Sequence, residues 1–222
     1  MKYERGRADE AFDADGVRSP ILGVADDDLS VFVEHGLTDR LTFQGSASLT
    51  RGTDGVITGE GRGPLTAGLR WTPVVRANGR EVWSVYVGGT RLGEGRNSAY
   101  LPPGAGDYDG EVRAFYGRSA RVLGREAFLD VQAARLFRSG APDESHLDVT
   151  LGYELRAKWL VLVQAYAGQA DAAGLDPRWL KLEAGLVRQF GDWRVQAGWR
   201  DTIAGRLTPI EGGPVLAVWR RF

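Results

Sequence analysis

Few residues of this chain could do covalent or metal chemistry. His146 directly follows Ser145, a general-base type beside a nucleophile type. Asp13, Asp15, Asp26, Asp27 and Asp28 gather within sixteen positions, and hard cations such as calcium favour several carboxylate oxygens. The EF-hand spacing is absent, so the cluster reads as a solvated acidic loop. Gly59-Glu60-Gly61-Arg62-Gly63 and Gly93-Glu94-Gly95-Arg96 have the composition of phosphate-cradling loops. Neither links a buried strand to a helix, as that chemistry requires, so both read as external loops. The second histidine, His35, falls where an aromatic residue would anchor the end of a strand. With no cysteine in the chain, disulfides, thiolate metal sites and thiol nucleophiles are all excluded. No cofactor, metal or catalytic residue is assigned on these grounds.

The chain has 222 residues with 28 basic and 29 acidic side chains, a formal net charge of −1. That balance offers no electrostatic footprint for nucleic acid. The longest apolar runs, such as Trp159 to Val163, are far short of a transmembrane helix. The dominant period is two. Leu65, Ala67, Leu69 and Trp71 alternate with Thr66, Gly68, Arg70 and Thr72; Leu147, Val149, Leu151 and Tyr153 alternate with His146, Asp148, Thr150 and Gly152. Such alternation marks strands with one apolar and one polar face.

About twelve such segments follow one another: 1–12, 28–36, 41–51, 64–73, 81–91, 108–119, 125–138, 145–155, 158–169, 179–190, 192–201 and 213–222. Most have the roughly 9–11 residues with which a tilted strand crosses a bilayer. Connections alternate between short turns and longer polar stretches, the asymmetry of an outer-membrane barrel. An even strand number puts both termini on the short-turn side. The expectation is an all-β fold, one antiparallel transmembrane β-barrel of about twelve strands and one domain over 1–222.

Alternation alone is also compatible with a soluble calycin-like barrel whose apolar face points inward. The aromatics favour the membrane. Trp71, Trp83, Tyr116, Tyr153, Trp159, Phe190 and Trp193 all fall at the short-turn end on the apolar face, as in an interfacial girdle. The other face carries Glu34, Arg70, Glu111, Arg113, Asp130, Asp148, Glu154, Lys181, Glu183, Arg194, Arg200 and Arg221, six charges of each sign. These suit a wet lumen, where they would line a pore and set its selectivity. Basic residues crowd the last strands and acidic ones the earlier strands, so a transverse field is expected. Tyr86, Phe115, Phe128, Tyr166 and Trp219 also point inward and are expected to narrow the bore. Twelve strands lie between the eight that side chains can fill and the 16–18 of open porins.

The last segment, Pro214 to Phe222, resembles the C-terminal signal of bacterial outer-membrane β-barrel proteins, in which a terminal aromatic follows apolar residues at alternate positions. Leu216, Val218 and Phe222 match that signal; Arg220 stands where an apolar residue or tyrosine is usual. Glu34-His35-Gly36-Leu37-Thr38-Asp39-Arg40-Leu41-Thr42 is similar to a periplasmic hairpin of transporter barrels, including the phenol-degradation type, where tyrosine often stands at the place of His35. The resemblance implies an outer-membrane location, contact with outer-membrane lipid and lipopolysaccharide, and recognition by the barrel-insertion machinery. The mixed-sign lumen and the strand number lead to the expectation of a narrow porin-like conduit for small polar solutes. The alternatives are a plugged barrel that docks a protein partner and, further off, an outer-membrane lipid hydrolase. The last would place serine two residues after His146 on the lipid face, where this chain has Asp148.

The segment 1–12 has charge on both faces and no apolar band. It reads as the outer part of a strand whose membrane-crossing start lies upstream, so that the natural chain begins before Met1. A polar arm outside the barrel is the alternative.

Overall fold

The computed structural model describes residues 1–53, 55, 56, 58–93 and 108–220. Their strands form one antiparallel sheet: β1 (Lys2–Phe12), β2 (Arg18–Gly36), β3 (Leu41–Thr53), β4 (Thr58–Arg76), β5 (Glu81–Arg91), β6 (Tyr108–Val122), β7 (Arg125–Phe137), β8 (Glu144–Arg156), β9 (Trp159–Ala170), β10 (Arg178–Phe190), β11 (Trp193–Arg206), β12 (Thr208–Pro209) and β13 (Gly212–Arg220). Each strand from β2 to β10 pairs with its chain neighbours, and β11 pairs with β10 and β13. β12 and β13 both lie along β1, which pairs with β2 on its other edge. The last two strands are therefore one broken stave, and the sheet closes as a twelve-stave barrel. Among the described residues every stave has a neighbour on both sides, which is what a sheet in hydrocarbon requires.

β1 is a stave and not an arm. Tyr3 sits opposite Leu29 and Leu216, and Glu4 opposite Asp28 and Val215. Its charges on two faces have two uses. Lys2 and Glu4 point inward to an ion-pair cluster, while on the outer face Asp27 accepts a 2.6 Å hydrogen bond from Tyr3 and lies 3.5 Å from Arg5.

Two expectations about the strand ends need correction. β2 begins at Arg18, so Asp26, Asp27 and Asp28 are strand residues whose side chains alternate between faces; they do not form one acidic loop. No group of three metal-ligating side chains occurs among the described residues. Gly59 to Gly63 lies within β4, paired with Leu49 to Gly52. Glycine hides the alternation there; a Cβ on Gly63 would lie 2.2 Å from the Ser48 hydroxyl, so a larger residue would have to displace that side chain. Glu94, Gly95 and Arg96 lie outside the described residues. Asp13 and Asp15 occupy the turn between β1 and β2. There the Asp13 carboxylate accepts backbone N–H bonds from Val17 and Asp15, which hold its pKa below the ordinary value.

The outer face is apolar. Leu49, Leu69, Val87, Leu151, Val163 and Leu216 are between 43 and 61% exposed with no protein against them, a belt that water would reject. At its short-turn edge the expected aromatics gather, with Trp83 and Tyr116 rings 4.5 Å apart. Arg220 spreads over the Trp193 ring at 5.5 Å, which explains an arginine near the C-terminus where an apolar residue is usual. Leu216 faces outward, and Val218 shares its parity; Phe222 lies outside the described residues.

The two faces can be told apart by measurement. Leu151→Arg, near the middle of the belt, should cost about 2–4 kcal/mol of unfolding free energy in lipid vesicles. Thr150→Arg, one position away and inward, should cost much less. Equal costs in urea titrations would contradict the outward placement of Leu151.

Candidate functional site: the lumen

The strand pleat sends alternate residues inward, and eleven of the twelve charges expected in the lumen belong to described residues; Arg221 does not. Their arrangement is local pairing. Arg70 meets Glu34 at 3.0 Å from the next-but-one stave, and Gln44, between them in the sheet, donates to Glu34 at 2.6 Å. Arg113 donates to Glu111 at 2.5 Å and to Gln132 at 2.8 Å, and lies 3.7 Å from Asp148. Asp130 accepts from Gln132 at 2.7 Å. Lys181 donates to Glu211 at 2.6 Å.

The tightest cluster joins the closing staves. Glu183, 1% exposed, accepts from both Nε and Nη2 of Arg200, at 3.0 and 2.6 Å, and from Gln196 at 2.8 Å. Arg200 also pairs with Glu4, which Lys2 approaches at 2.5 Å, and stacks over Tyr166 at 4.6 Å. Opposite signs are thus interleaved, and the expected transverse field is largely cancelled where it arises. Besides Asp130, whose partner is the Gln132 amide and not a cation, two residues stand apart. Glu154 faces inward opposite Leu160 near the short turns and makes no ion pair among the described residues. Arg194, opposite Trp219, likewise has no carboxylate partner among them.

The bore is not uniform. Toward the long loops the interior is packed with Ala8, Phe12, Val24 and Ala170 and with Arg138, which joins Asp109 and Glu144. Toward the short turns it opens into a cavity of about 890 Å³ that reaches Gly79 and Arg80 at the mouth. Glu34, Arg70, Glu111, Arg113, Asp130 and Arg194 line it, with Tyr86, Phe115, Phe128 and Trp219.

Aromatics narrow this cavity less than their number suggests, because glycines let them lie flat on the wall. A Cβ on Gly88 or Gly68 would come within 2.0 or 2.4 Å of the Tyr86 side chain, and one on Gly152 within 2.0 Å of the Phe128 ring. Trp179 covers Gly168 in the same way. These cradles, together with Lys2, Glu4 and Glu211, are parts of the lumen that sequence reasoning missed. The cradles had a legible signal: inward glycines on the same stave as, or the stave beside, an inward aromatic.

The histidines take no part in this cavity. His146 bonds to Glu144 at 2.8 Å and packs edge-on against Trp179 at 5.5 Å. Ser145 points to the other face and accepts from Arg135 at 2.9 Å. Nucleophile and base types are therefore on opposite sides of the sheet. His35, opposite Phe43, shares the outward parity expected of it.

A closed antiparallel barrel with short turns at one end, an apolar outer belt and a charged lumen has the fold of the bacterial outer-membrane β-barrels. Comparison with solved structures agrees. An outer membrane channel from Pseudomonas putida F1 matches at TM-score 0.69 and 15% identity, over 98% of this chain and 93% of that one. The NanC porin matches at 0.63 and 7% identity over the whole of both chains. The translocator domain of the autotransporter NalP from Neisseria meningitidis matches at 0.54 and 13%, over 100% of this chain and 88% of that one. No family model and no curated protein matches the sequence.

Proposed function

We propose that this protein is an outer-membrane conduit for small polar solutes, with no enzymatic role. The observation that carries the reading is the cavity of about 890 Å³, wet by charges of both signs and open at the short-turn mouth. The likeness of the fold to an outer membrane channel and to a porin supports it. On this reading Glu34, Arg70, Glu111, Arg113, Asp130, Asp148, Glu154, Lys181, Glu183, Arg194, Arg200 and Arg221 line the path. Because most of these charges neutralise one another, the pore discriminates weakly by sign and more by size. Lipopolysaccharide and the barrel-insertion machinery are its partners during and after insertion.

Arg194 is the one basic member of this set without a carboxylate partner among the described residues, so it contributes an unneutralised positive charge to the cavity wall. In planar bilayers under a salt gradient, Arg194→Glu should move the reversal potential toward the cation side, and the shift should shrink as salt rises. An unchanged reversal potential would remove Arg194 from the path. The filled long-loop half favours a second reading, a closed barrel that serves as a scaffold; absence of conductance from folded protein would select it.

A further inference from the structure

On the outer surface, several arginines meet a carboxylate. Arg5 lies near Asp27, Arg51 lies 3.7 Å from Glu60, and Arg135 lies 2.5 Å from Asp171. One cluster of arginines is gathered instead on an aromatic ring. At the short-turn rim Trp159 faces outward with Arg156 opposite it on β8 and Arg188 opposite it on β10. The guanidinium carbons lie 5.4 and 4.9 Å from the centre of its ring, and Arg188 is also 4.9 Å from that of Phe190. Neither arginine has a carboxylate partner among the described residues. Glu154, the nearest carboxylate along β8, faces the lumen.

Lys158 adds a third cation in the hairpin between β8 and β9. It holds φ at +69°, a left-handed conformation that glycine adopts without cost and a lysine adopts only under strain. Two cations on one indole, with a third in the adjoining turn, repel one another. Water relieves that only partly; an anion lying among them would relieve it directly. Their level is the edge of the apolar belt, marked by Trp159, Phe190 and Trp193, where lipid headgroups lie.

We propose that Arg156, Lys158 and Arg188 form a binding site for the phosphodiester of an anionic phospholipid in the leaflet at the short-turn end. The headgroup phosphate lies between the cations, and its chains run along the apolar belt beside Trp159. Cations flanking the indole on both sides suit a lipid with two phosphates better than one with a single phosphate. The inference rests on the membrane-spanning reading of the barrel and is independent of whether the lumen conducts.

The test is native mass spectrometry of the full chain in detergent, titrated with cardiolipin, phosphatidylglycerol or phosphatidylethanolamine. Retention should fall in that order. Arg156→Gln with Arg188→Gln should weaken cardiolipin binding roughly thirtyfold, and Lys158→Gln less. Arg156→Lys with Arg188→Lys keeps the charge and should retain most of the binding. Equal retention of the three lipids by the wild type would overturn the proposal, as would an unchanged affinity in the glutamine pair. If that pair does not fold, Lys158→Gln against the lysine pair decides. Lysine-pair binding as poor as that of a protein without the site, or no loss in Lys158→Gln, also counts against it.

Discussion

Arg200→Ala should lower the unfolding free energy by about 3 kcal/mol or more, the scale of breaking a buried pair from one side. Arg200 provides two of the hydrogen bonds that Glu183 receives and pairs with Glu4 as well. Without it, two carboxylates face one another with Lys2 between them, 3.6 Å from Glu183 and 2.5 Å from Glu4. Those groups sit on β1, β10 and β11, so the damage falls on the staves that close the barrel. Urea titration in vesicles, read by tryptophan fluorescence, measures the loss. Replacing Glu183 with leucine in the same background removes one stranded charge and should recover part of it. An Arg200→Ala barrel as stable as the wild type would show that the cluster is solvated and holds nothing together.

Gly152→Leu should do its harm in the bore. The new side chain needs the space that the Phe128 ring occupies, so the ring must turn off the wall into the cavity. Overpacking of this kind costs about 1–3 kcal/mol, and the conductance of the surviving barrels should drop. Gly68→Ala should act likewise through Tyr86. Pairing Gly152→Leu with Phe128→Ala removes the clash and should restore conductance, which separates a blocked bore from a misfolded barrel. If Gly152→Leu conducts as the wild type does, the Phe128 ring is not beside the path.

The staves were legible because lipid outside and water inside impose a strict period of two. From Leu147 to Tyr153 every second residue is apolar, and the strand lies where that pattern puts it. Legibility failed where the bilayer does not act. β2 and β4 extend toward the long loops through Asp26, Asp27 and Gly59 to Gly63, where neither face needs to be apolar. The inward face of each lumen residue could be read from its parity; its partner could not. Lys181 pairs with Glu211, which lies in a stretch read as a loop, and Arg200 pairs with Glu4, at the far end of the chain. Such contacts depend on closure and shear, which join residues remote in sequence. The flat rings required a further step, since a glycine in a strand pattern shows a missing side chain without showing what fills its place.

Passage of solutes through the lumen is checked by the swelling of proteoliposomes. Protein whose heat-sensitive gel migration shows a folded barrel is reconstituted and diluted into isotonic solutions of neutral and zwitterionic solutes of rising size. Swelling should be fast for a small solute such as glycine, slower as solute size rises, slight for a trisaccharide, and slower with Gly152→Leu. Swelling no faster than that of empty liposomes for every solute, from a demonstrably folded barrel, would contradict passage through the lumen.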